Sequence, residues 1–333
     1  MKAFIINKYS KKGSLQLTEM PVPEVKDTDV LVDVYAAGVN LLDSKIKTGE
    51  FKLILPYKLP LILGHDVAGI VTKVGKNVKK FKVGDEVYAR PADHRIGTFA
   101  EFIAIDERDV ALKPKNISME EAASIPLVAL TAWQVLVERA QIKKGEKVFI
   151  QAGSGGVGTI AIQLAKYLGA TVATTASAKS FDLLKDLGAD VIVDYKNSDF
   201  ENRLSNYDIV LNSQDQKTLE KSLRILKSGG KLISISGPPT PDFAKEIKAL
   251  WFVKIILSLI SSGIRKRAKN KNVDYSFLFM RADGQQLSEI TSLIEAKIIK
   301  PTVDKVFSFQ ETNEALSYVE SGRAKGKVVI RVK

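Results

Sequence analysis

The chain has no cysteine in its 333 residues. That absence rules out a disulfide framework and every thiolate-ligated metal centre. Long apolar runs are missing too. The longest, "ALWFVKIILSLI" from Ala249 to Ile260, is broken by Lys254 and is too short to span a bilayer. The opening "MKAFIINKYSKKG" lacks the apolar centre of a secretory leader, so a cytoplasmic protein is expected. No internal repeat or low-complexity stretch is present. Acidic residues are in deficit, 38 against 50 Lys and Arg, for a formal charge of +12. The one dense basic run, "IRKRAKNKN" from Ile264 to Asn272, has no interleaved aromatics to stack bases, so no nucleic-acid partner is expected. The favoured reading of that run is a solvated loop or helix end. A peripheral-membrane role, shared with the apolar segment before it, is the lesser alternative.

What is present falls into two textures. Up to about Lys115, short alternating or β-branched runs such as "DVLVDVYAAGV", "AGIVTKVG", "GDEVYAR" and "FAEFIAI" are separated by Gly, Pro and Asp. They predict an all-β, barrel-like unit. From Ser118 strands and helices alternate. "MEEAASIPLVALTAWQVLVERA" predicts a helix, "KVFIQA" a strand, "TVATTA" a strand, "AKSFDLLKDLGA" a helix, and "VIVDY", "YDIVLN" and "KLISISG" strands. This alternation predicts an α/β fold with a parallel sheet covered on both faces. The tail from about Asp274 adds the helical "GQQLSEITSLIEAKI" and the strand-like "GKVVIRV".

Between "KVFIQA" and the helix "TIAIQLAKYLG", Gly153, Gly155 and Gly158 fit G-x-G-x-x-G, with Gly156 and Val157 inside the motif. In a strand–turn–helix unit these glycines allow a tight turn and close approach of backbone to a pyrophosphate, which the free N–H groups at the helix start then face. The bland alternative is a glycine-rich turn without a ligand. The second strand selects the dinucleotide. NAD sites place an acid at its end, but "TVATTASAKS" has none before Asp182. Ser177 and Lys179 suit the 2′-phosphate of NADPH instead, and Tyr195 is placed to flank the adenosine. A loop lysine and a core tyrosine are the competing readings of Lys179 and Tyr195.

The motifs together resemble the medium-chain dehydrogenase/reductase superfamily, in its zinc-independent quinone and enone oxidoreductase branch. The resemblance runs through "AAGVNLLDSKIKTG", "PLILGHDVAGIVTKVGKNVKKFKVGDEVYA", "SIPLVALTAWQVL", "AGSGGVGTIAIQLAKYLGATV", "FLFMRADGQQL" and "SGRAKGKVVI". It implies a GroES-like β-barrel catalytic domain over residues 1–122, completed by 273–333, and a Rossmann domain over 123–272 that binds NADP. It implies a homodimer through the edge of the Rossmann sheet. Zinc-dependent members carry a Cys where Asn40 stands and a His in a motif similar to "GHDVAG"; here His65 remains without thiolate partners and no metal is expected. His65 then reads as a partly buried histidine with a structural hydrogen bond, and His94 as a loop residue.

Without a Lewis acid, the natural chemistry is hydride donation to an acceptor that is already electrophilic, a quinone or an α,β-unsaturated carbonyl. Asn40, Asp43 and Lys45 resemble the N-x-x-D-x-K pattern of enone oxidoreductases. The resemblance implies that Lys45 stabilises the developing oxyanion, that Asp43 orients it, and that Asn40 bonds the nicotinamide ribose or substrate. The alternative for Lys45 is one more surface lysine. Thr131 resembles the family's nicotinamide-side threonine and Arg323 its basic residue closing over the cofactor. Asn212 departs from the family's usual Asp, which questions the contacts of that loop. The segment 249–272 is read as part of a substrate cleft wall. A reading from another class also stands: a low-turnover NADPH-binding sensor or adaptor of the crystallin-like or vesicle-associated type.

Overall fold

Strands β1 (Lys2–Ile6), β2 (Gln16–Glu19) and β3 (Asp29–Val39) open the computed structural model, which describes residues 1–333 apart from Leu53 and Lys248. Helix α1 (Leu41–Thr48) follows, then β4 (Leu61–Ile62), β5 (Asp66–Val74), β6 (Glu86–Ala89), β7 (Phe102–Asp106) and β8 (Val110–Leu112). Helices α2 (Met119–Ala123) and α3 (Pro126–Trp133) lead to the alternating part. That part runs β9 (Lys147–Ile150), α4 (Gly156–Tyr167), β10 (Thr171–Ala176), α5 (Phe181–Asp186), β11 (Val191–Asp194) and β12 (Tyr207–Asn212). It continues with α6 (Gln216–Ile225), β13 (Leu226–Ser234), α7 (Pro241–Glu246), α8 (Trp251–Ile260), α9 (Ser262–Asn270) and β14 (Asp274–Phe277). The chain ends with α10 (Gly284–Glu295), β15 (Val303–Ser308), α11 (Thr312–Glu320) and β16 (Lys327–Arg331). Among the described residues no helix is long and apolar enough to cross a membrane.

The contacts divide the chain into Met1–Leu130 with Arg281–Lys333, and Thr131–Met280. The joins expected from sequence were 122/123 and 272/273. In the first unit a sheet of order β15-β16-β3-β5-β6-β8, with β7 also on β3, stands beside a small sheet β2-β1-β4. The alternation of β3 explains its place at the centre. Val30, Val32 and Val34 point to one side and pack with Val67, Val71, Val87, Ile103 and Ile105. Burying each such side chain contributes about 1.5–3 kcal/mol. The second chain segment closes this sheet, since β16 pairs antiparallel with β3, Val328 opposite Val39.

The second unit holds one parallel sheet of order β11-β10-β9-β12-β13-β14. Counted within the sheet this is 3-2-1-4-5-6, the doubly wound dinucleotide-binding order, with its switch point between β9 and β12. The α/β class, the GroES-like unit and the Rossmann sheet are those the sequence predicts. Two local features differ. The helix predicted over 119–140 is broken: α2 stops at Ala123, α3 begins with Pro126, and Gln134–Arg139 is π-helical. Pro126 has no N–H to continue α2 and its fixed φ suits the start of a new helix. Helices α7 to α9 and strand β14 were not foreseen; the four residues of β14 follow the basic run and pair with the remote Lys231–Ser234.

Candidate active site

The glycine turn is built by contacts that a side chain would prevent. A Cβ on Gly153 would lie 2.2 Å from Thr174 Oγ1 on β10, and one on Gly158 would lie 2.5 Å from the Ala152 carbonyl. Ala152 carries φ +51°, which bends the chain out of β9, and Gly155 caps α4. The first intrahelical bond runs from Thr159 N–H to Gly155 O, at 3.0 Å. The N–H groups of Gly156, Val157 and Gly158 precede it and lack intrahelical acceptors, as a phosphate-binding helix start requires. The cradle therefore fits a dinucleotide pyrophosphate.

Ser177 and Lys179 follow the end of β10, and Tyr195 follows the end of β11. Ala176 pairs with Asp194, and Tyr195 N–H donates to Ala176 O at 3.3 Å, so the two strand ends lie side by side. Tyr195 is 60% exposed, which contradicts a core tyrosine and leaves its ring accessible. Lys179 is exposed and Ser177 half-buried. Asn212, at the end of β12, is fully buried. It donates from Nδ2 to Gln151 Oε1 (2.7 Å) and accepts from Ser234 Oγ (2.6 Å), tying the carboxyl ends of β9, β12 and β13 together. In place of an acid, the chain has a neutral amide whose partners are all neutral, so no buried charge has to be compensated there.

In the first unit Asn40 and Asp43 serve a buried network at the start of α1. Asp43 accepts from Asn40 N–H at 2.8 Å, which closes the helix start, and meets His65 Nδ1 at 2.6 Å. The Asn40 amide turns away from the helix. Its Nδ2 donates to Asp66 Oδ2 (2.9 Å), and its Oδ1 accepts from Lys327 Nζ (2.5 Å). Lys327 also donates to Asp66 Oδ2 (3.0 Å), and Asp66 Oδ1 accepts from Leu127 N–H (2.7 Å). Asp43, His65 and Asp66 are wholly buried. His65 Nε2, Tyr57 Oη and Thr98 Oγ1 are buried atoms without a hydrogen-bond partner among the described residues. Burial, and next the Asp93 carboxylate, push the Tyr57 phenol well above its usual pKa.

Lys45 lies one turn further along α1 and is half-buried. Its ammonium makes no hydrogen bond or ion pair with the described residues. Lys47 is instead held by Glu320 at 2.9 Å, and Ser44 donates to the same Oε1 at 2.5 Å. Of the remaining candidates, Thr131 is buried in α3, and Arg323 is exposed in the turn after α11, donating from Nε to Ser321 Oγ at 3.1 Å. A recess of about 710 Å³ in the first unit, lined in part by Asp29, Arg95, Asp106 and Arg108, contains none of these candidates. Four of its charged groups pair with one another, Arg95 gripping Asp29 through two 2.7 Å bonds and Arg108 gripping Asp106.

Lys327, Asp66 and Tyr57 escaped the sequence reading as candidate site residues. A lysine opening the apolar strand "KVVIR" was the available sign for Lys327. Asp66 was visible beside His65 in "GHDVAG", and Tyr57, in the proline-flanked "LPYKLP", carried no sign of its own.

A doubly wound sheet with a glycine turn suited to a pyrophosphate, together with an antiparallel unit closed by the distal part of the chain, is the two-domain architecture that nucleotide-dependent oxidoreductases use. Residues 26–115 match the alcohol dehydrogenase GroES-like domain, and residues 187–330 match the zinc-binding dehydrogenase domain. The chain is 37% identical over 341 residues to 2-methylene-furan-3-one reductase of Solanum lycopersicum, covering 99% of this chain and 79% of that protein. It is 35% identical over 341 residues to the chloroplastic NADPH-dependent alkenal/one oxidoreductase of Arabidopsis thaliana, with the same coverage. Escherichia coli quinone oxidoreductase, solved in complex with NADPH, superposes with a TM-score of 0.83 at 26% identity, covering all of both chains. The chain belongs to the medium-chain dehydrogenase/reductase superfamily, among the quinone and alkenal/one reductase relatives.

The zinc in the name of the matched domain does not fit this donor set. There is no cysteine, the Asn40 amide is committed at both ends, and Asp43 occupies His65 Nδ1. Among the described residues no three His, Cys, Asp or Glu side chains converge as a metal site.

Proposed function

We propose that the protein is an NADPH-dependent reductase of quinones or of the activated C=C bond of α,β-unsaturated carbonyls, working without a metal. The observation that carries this is the division of labour along α1. Asn40 and Asp43 are consumed by the buried network, whereas Lys45 on the same helix has an uncommitted ammonium. Asn40 and Asp43 are positioning residues: they fix the start of α1 and thereby the direction from which Lys45 projects.

NADPH, when bound, supplies the hydride. Gly153, Gly155, Gly156, Val157 and Gly158 hold the pyrophosphate, Ser177 and Lys179 the 2′-phosphate, Tyr195 flanks the adenosine, and Thr131 and Arg323 complete the binding. The missing acid after β10 supports NADPH over NADH, because a carboxylate there would repel the 2′-phosphate. The names of the Arabidopsis and Escherichia coli relatives agree with this choice. When hydride reaches the β-carbon of an enone, the negative charge moves to the carbonyl oxygen. Lys45 donates a charge-assisted hydrogen bond to that oxygen, and the enolate then takes a proton at the α-carbon. We propose further that two copies pair through β14, which stands at one edge of the parallel sheet with β13 as its neighbour.

The test is a steady-state panel of quinones and small enones with both cofactors. Lys45→Ala and Lys45→Met should each lower kcat on enones by about 10²–10³, with NADPH affinity nearly unchanged. The loss should be smaller on quinones, whose reduced anion is aromatic. A kcat within about twofold of the parent on enones for both variants would remove Lys45 from the mechanism. Tight NADPH binding with no turnover on the panel would favour a sensor or adaptor instead.

A further inference from the structure

Helices α8 and α9 of the second unit form a surface that the reductase reading does not use. α8 is "WFVKIILSLI", and its outward side is almost entirely apolar. Trp251, Phe252, Ile255, Ile256 and Leu259 recur at i, i+1, i+4, i+5 and i+8 and share the side opposite the buried Leu257. Trp251 is 75% and Leu259 68% exposed, far beyond the scattered single apolar residues normal on a protein surface. The helix thus carries an unburied apolar stripe.

The charge along this stretch of the chain has one sign. From Ile247 to Val273 the sequence contains no Asp or Glu but has Lys248, Lys254, Arg265, Lys266, Arg267, Lys269 and Lys271. Arg265 is spent on structure, bonding Ser258 and Ser261 and so fastening α9 to α8. Arg267 pairs with Glu220, and the neighbouring acids Asp242 and Glu246 are neutralised by Lys245 and Arg139. Lys254 in α8 and Lys266 and Lys269 in α9 remain exposed.

This pairing of features selects the occupant. A second copy meeting the first through α8 across a two-fold axis would bring each basic set toward its own image, and like charges oppose such a contact. An anionic bilayer satisfies both features: apolar side chains enter the acyl boundary while cations meet the headgroups. We propose that α8 and α9 are a docking surface for anionic lipid membranes. α8 lies in the plane of the interface with Trp251 and Phe252 inserted, and Lys254, Lys266 and Lys269 face the headgroups. The binding is peripheral, since ten residues cannot cross a bilayer.

The experiment is co-sedimentation of the full chain with vesicles of phosphatidylcholine alone and of equimolar phosphatidylcholine and phosphatidylserine, with the oligomeric state measured in parallel. The parent should bind the mixed vesicles at least about tenfold more tightly than the neutral ones and lose that advantage in high salt. Lys266→Gln and Lys269→Gln should each weaken binding about fivefold. Leu259→Ser should weaken it by at least a further factor of about five, with an unchanged far-ultraviolet circular dichroism melt. Failure of the parent to bind, or equal binding to neutral vesicles, overturns the proposal. So does a dimer that Leu259→Ser dissociates while vesicle binding is absent, which would assign the stripe to contact between copies.

Discussion

Replacing Lys327 by Met tests whether the buried network at the start of α1 holds the first unit together. Lys327 Nζ stands 3.0 Å from Asp66 Oδ2, and Asp66 is fully buried. At an effective dielectric constant of about 20 that separation corresponds to roughly 5.5 kcal/mol of attraction, most of it offset by the cost of dehydrating both ions. Removing the cation alone leaves a buried carboxylate with two neutral donors, the Leu127 N–H and the Asn40 amide. The expected loss is therefore about 3–5 kcal/mol, the cost of an uncompensated buried charge. For a unit of this size it lowers the melting temperature by roughly 6–20 °C. Asp66→Asn alone should also destabilise. The double variant should lose at least about 1 kcal/mol less than the sum of the singles, because neither charge is then stranded. Urea unfolding followed by both circular dichroism and tryptophan fluorescence would detect separate transitions of the two units. Single variants that each cost less than about 1 kcal/mol, or a double variant additive within about 0.5 kcal/mol, would refute the reasoning.

Three other expectations can be checked on the same preparations. Gly153→Ala places a methyl against Thr174 and should destabilise the second unit by about 1–3 kcal/mol; adding Thr174→Ala should recover at least half of this in the same urea assay. Lys179→Ala should weaken NADPH binding by about 1.5–3 kcal/mol and leave NADH binding unchanged, measured by fluorescence titration. If both cofactors weaken equally, Lys179 does not read the 2′-phosphate. The Arg108 guanidinium beside Asp106 lowers that carboxyl to about 2. Its stabilising contribution is then complete above about pH 5 and falls away as pH drops through about 2, so the stability gap between parent and Asp106→Asn should narrow over that range. A gap that widens toward acid would show the sign to be wrong.

The parts of this molecule that were legible in sequence are those encoded by neighbours in the chain. The alternation of "DVLVDVYAAGV" and the turn at Gly153 to Gly158 are local patterns, and each stands where it was expected. So does the alternation of strands and helices in the second unit as far as β13; helices α7 to α9 and strand β14 were not read from the sequence. Residues that act through remote partners were less visible. Asn40 and Asp43 could be picked from "NLLDSK", but not that the Asn40 amide would be divided between Asp66 and Lys327, 287 residues away. Similarly, "ALWFVKIILSLI" has the composition of a buried segment. Only its contacts show that Leu257 alone in α8 is buried while the opposite side meets water.

The first unit is assembled from both ends of its stretch of chain, and this imposes an order on synthesis. Val39, on the central strand, receives its bond from Lys327 only after 288 further residues. At about 5–20 residues per second, the ribosome needs roughly 15–60 s to deliver them. During that interval Asp66 has no lysine, and the edge of β3 that β16 will cover stays open. The second unit is continuous in sequence and is complete before β16 emerges. The nascent chain thus passes through a stage in which every residue of the second unit has been made while the first unit still lacks its last strands. An interruption before β16 would release a chain whose second unit is complete but whose Asp66 and Asn40 lack Lys327.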